Sequence, residues 1–504
     1  MYKPLSFTTT LRNPERLKGF LIVLKDYDGQ ILTNELAEKI AGEIVRLGLY
    51  RPMKLSKTVR QKMKEAEELT NVEVVNVLAA NPQNHTEGGF ERGWPSRFNT
   101  FFSLARELGF VFYRVEERIQ FSEIGLKLVN SEHPEFEQQA FLNAFAKYQR
   151  NNPFRKVHNE NIPLILLLKV IEKLNLDGNF KDTGISKLEI PLVLYWKDDD
   201  AEKLYQRIKE LRKGYGFTPS WEVIIEICRS EIMEGNDRKR KDRSIMVEHP
   251  DDFIRKMRHT GLITMRGGGR FIDINSNEQK KVKYILQKYS NYKKYETEEE
   301  YFEHISEIDE KFISVTSKSV AATQKEIFLA KWAGEYNMEK IKVELLNLAN
   351  KNGSKDEVLK YLSGPVRFEF LTAMLIKQKF PSVRVIPNYP IDDEGIPTAP
   401  AGGGKGDIEC YEDESGILIE VTLLEGRVQT RDEIWPVDRH LIEFSEKAKH
   451  SICYFIAPSI FVDSELQIEF LWKEKKRFIF PKTIKEFLMY LENIEVLYPQ
   501  DEVG

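Results

Sequence analysis

The sequence predicts a multidomain α+β protein: tandem helix-rich units that each close on a β-hairpin, a helical connector, and a C-terminal α/β domain with a mixed central sheet. Three observations carry this reading. At 504 residues the chain is too long for one hydrophobic core. Short strand-like segments turn back on themselves as hairpins near residues 116, 268 and 413. Between about 276 and 364 the composition shifts to Lys, Glu, Tyr and Asn with helical periodicity. The expected domains are 1–140, 141–285, 286–362 as a helical linker, and 363–504.

Hydrophobic residues make up 41% and charged residues 31%, the balance of a folded protein. With 75 basic against 79 acidic side chains the net charge is −4, so there is no global basic field. Nucleic-acid affinity would have to rest on local patches. Cys228, Cys410 and Cys453 lie far apart, match no zinc spacing, and suggest a reducing compartment. The first residues lack the apolar core of a signal peptide. The most apolar run, 162–170, is far shorter than the ~20 residues that span a bilayer. A cytoplasmic protein with no membrane contact is expected.

In the first domain Asn13 and Pro14 read as a cap and first helical residue, with Leu17, Phe20, Leu21 and Leu24 on one face. A second helix follows Thr33, with Leu36, Ile40, Ile44 and Leu47 inward. Pro95 opens a third, whose Phe98, Phe101, Phe102, Ala105 and Leu108 face the core; Gly109 ends it, and a hairpin turns at Glu116 and Glu117. Helix, helix, helix, hairpin is the order of a winged helix-turn-helix. On the other face of the third helix, Arg97, Asn99, Thr100, Ser103 and Arg106 either look into a DNA major groove or are ordinary solvated positions.

The second domain repeats the order without repeating the sequence. An apolar helix over 163–174 precedes the capping-box pattern Ser186-Lys-Leu-Glu189. A charged helix over 198–213, a helix ending near Gly261, and the hairpin LITMRGGGRFIDI follow. Arg266 and Arg270 flank three glycines, so this wing tip could bring two cations close to a phosphate backbone. The run DRKRKDR adds Arg238, Lys239 and Arg240 in the same half. Together the two domains are expected to form a DNA-reading module.

A new helix begins at Gly364-Pro365, burying Val366, Phe370, Ala373, Met374 and Phe380, with Glu369 in its first turn. A Gly-rich loop then delivers Asp407 onto a short apolar strand. After an acidic turn, a second strand carries Glu420 within Ile-Leu-Ile-Glu-Val-Thr. A carboxylate amid apolar strand residues is costly to bury unless a cation or several donors meet it. A helix with Ile434, Val437, Leu441, Phe444 and Ala448 inward places Glu433 and His440 about two turns apart on one face. The runs 452–456 and 467–471 are expected to supply further strands, and 483–491 a last helix.

The loop GGGKG at 402–406 is not a nucleotide-phosphate loop, because Gly406 follows the lysine and the segment leads into a strand. Cys410 and His440 lack an orienting third group for nucleophilic catalysis. Asp407 and Glu420, about 13 residues apart on adjacent strands, are either surface carboxylates of a hairpin, a reading that is strained for Glu420, or the constellation of metal-dependent phosphodiester cleavage. The two carboxylates and the Val421 carbonyl would ligate Mg²⁺.

These residues resemble the PD-(D/E)xK nuclease superfamily, and more narrowly the AlwI-like type IIS restriction endonucleases and their nicking relatives. The resemblance is carried by Glu369, by Gly-Asp-Ile with Asp407, by Glu-Val-Thr with Glu420 and Val421, by Glu433, and by Val-Asp-Arg-His-Leu with His440. TLRNPERL and FSEIGLKLV in the first domain belong to it as well. Where the wider superfamily has a lysine this chain has Thr422, with Glu433 nearby to hold a second metal or position water. The resemblance implies catalytic roles for Glu369, Asp407, Glu420, Glu433 and His440. It further implies a monomer that binds a short asymmetric duplex sequence and cuts to one side of it. A transient homodimer or a second nuclease subunit would cut the other strand, and a cognate methyltransferase would protect the host. A strand-specific nickase is the alternative; a structure-specific repair nuclease and a non-catalytic regulator are the remaining ones.

Overall fold

The computed structural model describes residues 14–499, apart from 65–66, 85, 87, 132, 180–182, 238, 315–319 and 449. The chain divides into two compact units, one of residues 1–63, 68–131 and 136–317, the other of 64–67, 132–135 and 318–504. The segment expected as a linker is shared between them. Helices Glu298–Ser306 and Glu310–Ser314 fall in the first unit, and Ala322–Glu335 and Met338–Ala349 in the second. Leu329, Trp332, Ile341, Leu345 and Leu348 of the latter pair are buried, which makes those helices part of a core rather than a free spacer.

The first unit is helical with two small sheets. Helices Glu15–Lys25, Asn34–Arg46 and Trp94–Glu107 precede a short hairpin of Val111–Phe112 and Gln120–Phe121, as the pattern predicts. Lys57–Lys64 and Asn71–Ala80 intervene as extra helices. Thr33 caps the second helix through the Leu36 N–H, and Asn13 lies outside the described residues. Phe20, Phe98, Phe101 and Phe102 are fully buried, and Phe20 meets Phe101 edge to face at 5.4 Å. Leu47, expected inward, is 38% exposed just past its helix end. Farther along, helices Pro163–Leu176, Ala201–Tyr215 and His249–His259 surround a three-stranded sheet in which Ile263–Arg266 and Ile185–Ser186 flank Phe271–Ile274. Ser186 and Glu189 form only half a capping box: the Ser186 N–H donates to Glu189 at 2.8 Å, and the helix starts after Glu189.

The second unit is built on a five-stranded mixed sheet. Its strands lie in the order Ile479–Thr483, His450–Ala457, Ser415–Val421, Ile408–Glu412, Arg384–Pro387. The first three run parallel; the last two pairings are antiparallel. Leu418, Cys453 and Phe455 pack on one face against Val437, Leu441 and Phe444 of helix Ile434–Ser445 and Ile468 and Leu471 of helix Val462–Lys475. On the other face Tyr454 meets Phe487 and Tyr490 of helix Ile484–Asn493. The segment 467–471 is therefore helical, not a strand. Gln467, Ile468, Glu469 and Phe470 alternate as a strand would, but Ser464, Ile468 and Leu471 are buried at helical spacing, and Asp463 and Glu465 near the start and Lys473 and Lys475 near the end favour a helix through its dipole.

Candidate active site

The strand register brings the carboxylates together. Ile408 pairs with Ile419, so one step further Asp407 stands across from Glu420, both on the face covered by helix Ile434–Ser445. The Asp407 carboxylate accepts a hydrogen bond from the Val421 N–H at 2.8 Å, which fixes its side chain against the neighbouring strand. Gly406 allows this closeness. A Cβ there would fall 2.7 Å from Glu420 Oε1 and press on Leu418 as well.

Helix Gly364–Lys379 supplies Glu369, one turn later than the sequence pattern suggests and only 3% exposed. Its Oε2 accepts the Ala401 N–H at 2.9 Å, which ties the Gly-rich loop to the helix. Behind Glu420, which is 6% exposed, His440 Nδ1 lies 2.9 Å from Glu420 Oε1. The Thr422 hydroxyl donates to Glu433 at 3.0 Å, which holds that carboxyl in place. Glu369, Asp407, Glu420, Glu433 and His440 thus come together as expected.

Electrostatics in the cluster run against ionisation. Burial, and then the Asp407 and Glu420 charges, push the Glu369 carboxyl well above the usual carboxylate range. Asp407 is raised by burial and by Glu420, and Glu420 by burial and by Glu433. Burial also raises Glu433 and lowers His440. Carboxylates that penalise each other in this way gain most from a cation. Among the described residues, no three His, Cys, Asp or Glu side chains form a ready-made ligand set. Two carboxylates and a backbone carbonyl, all hard oxygens, do suit a small divalent ion that keeps waters and substrate oxygens in its remaining positions.

Sequence reasoning missed the side chains that hold the Asp407 segment. Asn388 Nδ2 donates to the Gly406 carbonyl at 2.6 Å, and Lys325 reaches the turn that carries Asn388. Neither lies in a motif, and no local pattern marks them.

The basic residues proposed to meet DNA fare differently. Asn99, Ser103 and Arg106 are buried and Arg97 and Thr100 half-buried, so most of that face of helix Trp94–Glu107 is turned into the protein rather than to solvent. Asn99 accepts from the Tyr113 hydroxyl at 3.0 Å, and Arg97 donates to the Tyr50 hydroxyl at 2.6 Å. Arg106 donates to the Tyr113 carbonyl at 3.2 Å and lies over the rings of Tyr113 and Phe154. With these partners Asn99 and Arg106 act as core residues, and Arg97 sits at the edge of the core. Arg240 pairs with Asp237 and Arg266 with Asp273, which commits their charge locally. Lys239 and Arg270 are exposed, and Arg238 lies outside the described residues.

The AlwI restriction endonuclease family profile matches residues 106–350 and 313–489, well over half of the chain. Among solved structures, the small subunit R.BspD6I2 of the heterodimeric restriction endonuclease R.BspD6I is 26% identical, covering 30% of this chain and 78% of its own, with a TM-score of 0.27. Restriction endonuclease FokI is 13% identical over 98% of this chain and 96% of its own, with a TM-score of 0.25. FokI bound to DNA is 12% identical over 95% and 94%, again at 0.25. Superpositions this loose carry no weight of their own. No curated protein matches the chain.

Proposed function

We propose, from the premise that this chain belongs to the AlwI restriction endonuclease family and is therefore a site-specific deoxyribonuclease, that it is a Mg²⁺-dependent type IIS enzyme. In this reading the first unit reads a short asymmetric duplex sequence and the second hydrolyses a phosphodiester bond to one side of it. The observation that carries the catalytic part is the cross-strand opposition of Asp407 and Glu420, with Glu369 beside them. Asp407, Glu420 and the Val421 carbonyl would hold the ion. When bound, it supplies Lewis-acid polarisation of the scissile phosphate and acidifies water near it. His440 holds the Glu420 carboxylate through Nδ1, and the Thr422 hydroxyl orients Glu433 towards the same centre. The Ala401 N–H keeps Glu369 facing the loop that precedes Asp407.

The tandem winged-helix reading of the first unit is supported by its helix and hairpin order and by the glycine-rich tip at Gly267, Gly268 and Gly269, all at positive φ, beside exposed Arg270. One centre aligns one scissile phosphate at a time, so a second copy of this chain is the proposed source of the second cut. Helix Val462–Lys475 offers a self-complementary face for it. Val462, Leu466 and Phe470 are 58%, 58% and 48% exposed in one row, with Asp463 and Glu465 near the start of the helix and Lys473 and Lys475 near its end, where Glu474 also lies and Lys473 pairs with Glu469. Laid antiparallel about a two-fold axis, two such helices oppose acidic and basic ends.

A one-site plasmid tests the whole reading. At low enzyme, nicked circles should accumulate first, and linear product should rise faster than in proportion to enzyme. Asp407→Ala should leave DNA binding intact and lower cleavage by about a thousandfold or more, the several kcal/mol a metal centre contributes. Phe470→Asp should nick but not linearise. Near wild-type cutting by Asp407→Ala would reject the active-site assignment; linearisation at limiting enzyme without a nicked intermediate would reject the single centre. Nicking that never proceeds to linear product at any enzyme concentration identifies a nickase.

A further inference from the structure

The segment that leads into the carboxylate cluster is held by two side chains that take no part in the chemistry above. Lys325 sits in the first turn of helix Ala322–Glu335 and extends to the end of the edge strand Arg384–Pro387. Its ammonium donates to the carbonyls of Pro387 at 3.1 Å, Asn388 at 3.2 Å and Tyr389 at 2.6 Å. Three N–H bonds meet three consecutive acceptors, which is the full capacity of the group. Asn388, fixed in this way, takes hold of the strand beside it. Its backbone N–H donates to the Asp407 carbonyl at 2.9 Å and its side chain to the Gly406 carbonyl at 2.6 Å.

The peptide between Gly406 and Asp407 is therefore gripped at one end by Asn388, while the Val421 N–H grips the Asp407 carboxylate at the other. With Glu420 packed against Gly406, little freedom is left in the distance between the two carboxylates. We propose that Lys325 and Asn388 form a clamp that sets the separation of Asp407 and Glu420 and so determines how tightly the site takes its divalent ion. The clamp rests on the reading of those two carboxylates as the ion-holding pair. Lys325 is a positioning residue: all its protons are engaged by main-chain carbonyls, and besides holding Asn388 its charge eases the ionisation of Glu369, so Asn388→Ala is the variant that isolates the clamp.

Residues that orient metal ligands commonly change ion affinity by about 10–100-fold when lost, with less effect once the site is saturated. The test uses the full chain and two readouts, Mn²⁺ titration by calorimetry without DNA, and plasmid cleavage as a function of Mg²⁺. For Lys325→Met and Asn388→Ala the half-saturating ion concentration should rise about tenfold in both, with cleavage at saturating ion within about threefold of wild type. Half-saturation equal to wild type in both variants overturns the clamp, and so does a cleavage defect that excess ion does not restore. Should Lys325→Met fail to fold, Asn388→Ala decides alone, since it removes a single strong hydrogen bond and leaves the Asn388 N–H in place. Asp407→Ala serves as the control. If it binds Mn²⁺ as wild type does, or if wild type binds none, the ion-holding reading falls and the clamp falls with it. If Asp407→Ala loses Mn²⁺ while both clamp variants match wild type, only the clamp is wrong.

Discussion

Glu189 in the first unit and Glu420 in the second are carboxylates almost cut off from water, 0% and 6% exposed, yet their surroundings are opposite in kind. Glu189 receives both arms of a buried guanidinium, with Arg212 Nε at 2.8 Å and Nη2 at 2.7 Å. Asp252 and Lys256, both fully buried, pair in the same way. Glu420 instead faces Asp407 and lies near Glu433, and each of these carboxyls is pushed up in pKa. At Glu189 and Asp252 the chain itself neutralises the buried charge, so these pairs serve the fold. Beside Glu420 stands only a His440 that burial holds towards its neutral form, so the neutralising charge is left to a bound cation, as expected of a binding site.

The largest test of this contrast breaks a self-neutralised pair. Glu189→Ala leaves Arg212 buried without its partner and should destabilise the protein by about 3–5 kcal/mol, read from urea unfolding of the first unit. A loss under about 1 kcal/mol would mean the pair is relieved by water and the contrast is overdrawn.

A smaller effect of opposite sign is expected at the cluster. The raised carboxyls have folded-state pKa values above their unfolded ones, so they support folding fully at low pH and lose that support as pH rises through the raised values. Asp407→Asn, which keeps an acceptor for the Val421 N–H, should therefore melt higher than wild type in EDTA at pH 8, by about 2–4 °C per kcal/mol relieved. The gap should narrow towards pH 4 and reverse when divalent ion is added. A variant that melts below wild type at every pH would show that Asp407 stabilises the sheet instead.

The smallest effect concerns exposed charge. If Lys239 and Arg270 touch phosphates, replacing each by alanine should weaken binding equally on cognate and random duplex and reduce the salt-dependence slope by about 1 per residue. A loss confined to the cognate sequence would assign them to base reading.

The cluster was legible in the sequence because a charge interrupting Ile-Leu-Ile on a strand has few structural uses, and because Glu433 and His440 keep helical spacing. Asn99 and Arg106 were misplaced for the converse reason. Periodicity alone puts polar side chains at the surface, whereas Tyr113 on the following hairpin and Phe154 farther along the chain meet them in the core. Lys325 and Asn388 were invisible because their role consists of main-chain carbonyls that only the assembled sheet brings within reach. The strand expected at 467–471 is a helix because the local alternation of Gln467, Ile468, Glu469 and Phe470 is overridden by burial of Ser464, Ile468 and Leu471 on one helical face.

The hairpin keeps its two ends apart. Asp407 and Glu420 stand at the open end, while the turn at exposed Asp413, which has a φ of +52°, lies at the far end of a seven-residue strand, about 20 Å away. That tip is a natural attachment point. A dye or affinity handle grafted there would ride on the same rigid ribbon as the proposed cutting centre, and so would report where that centre is aimed without touching it.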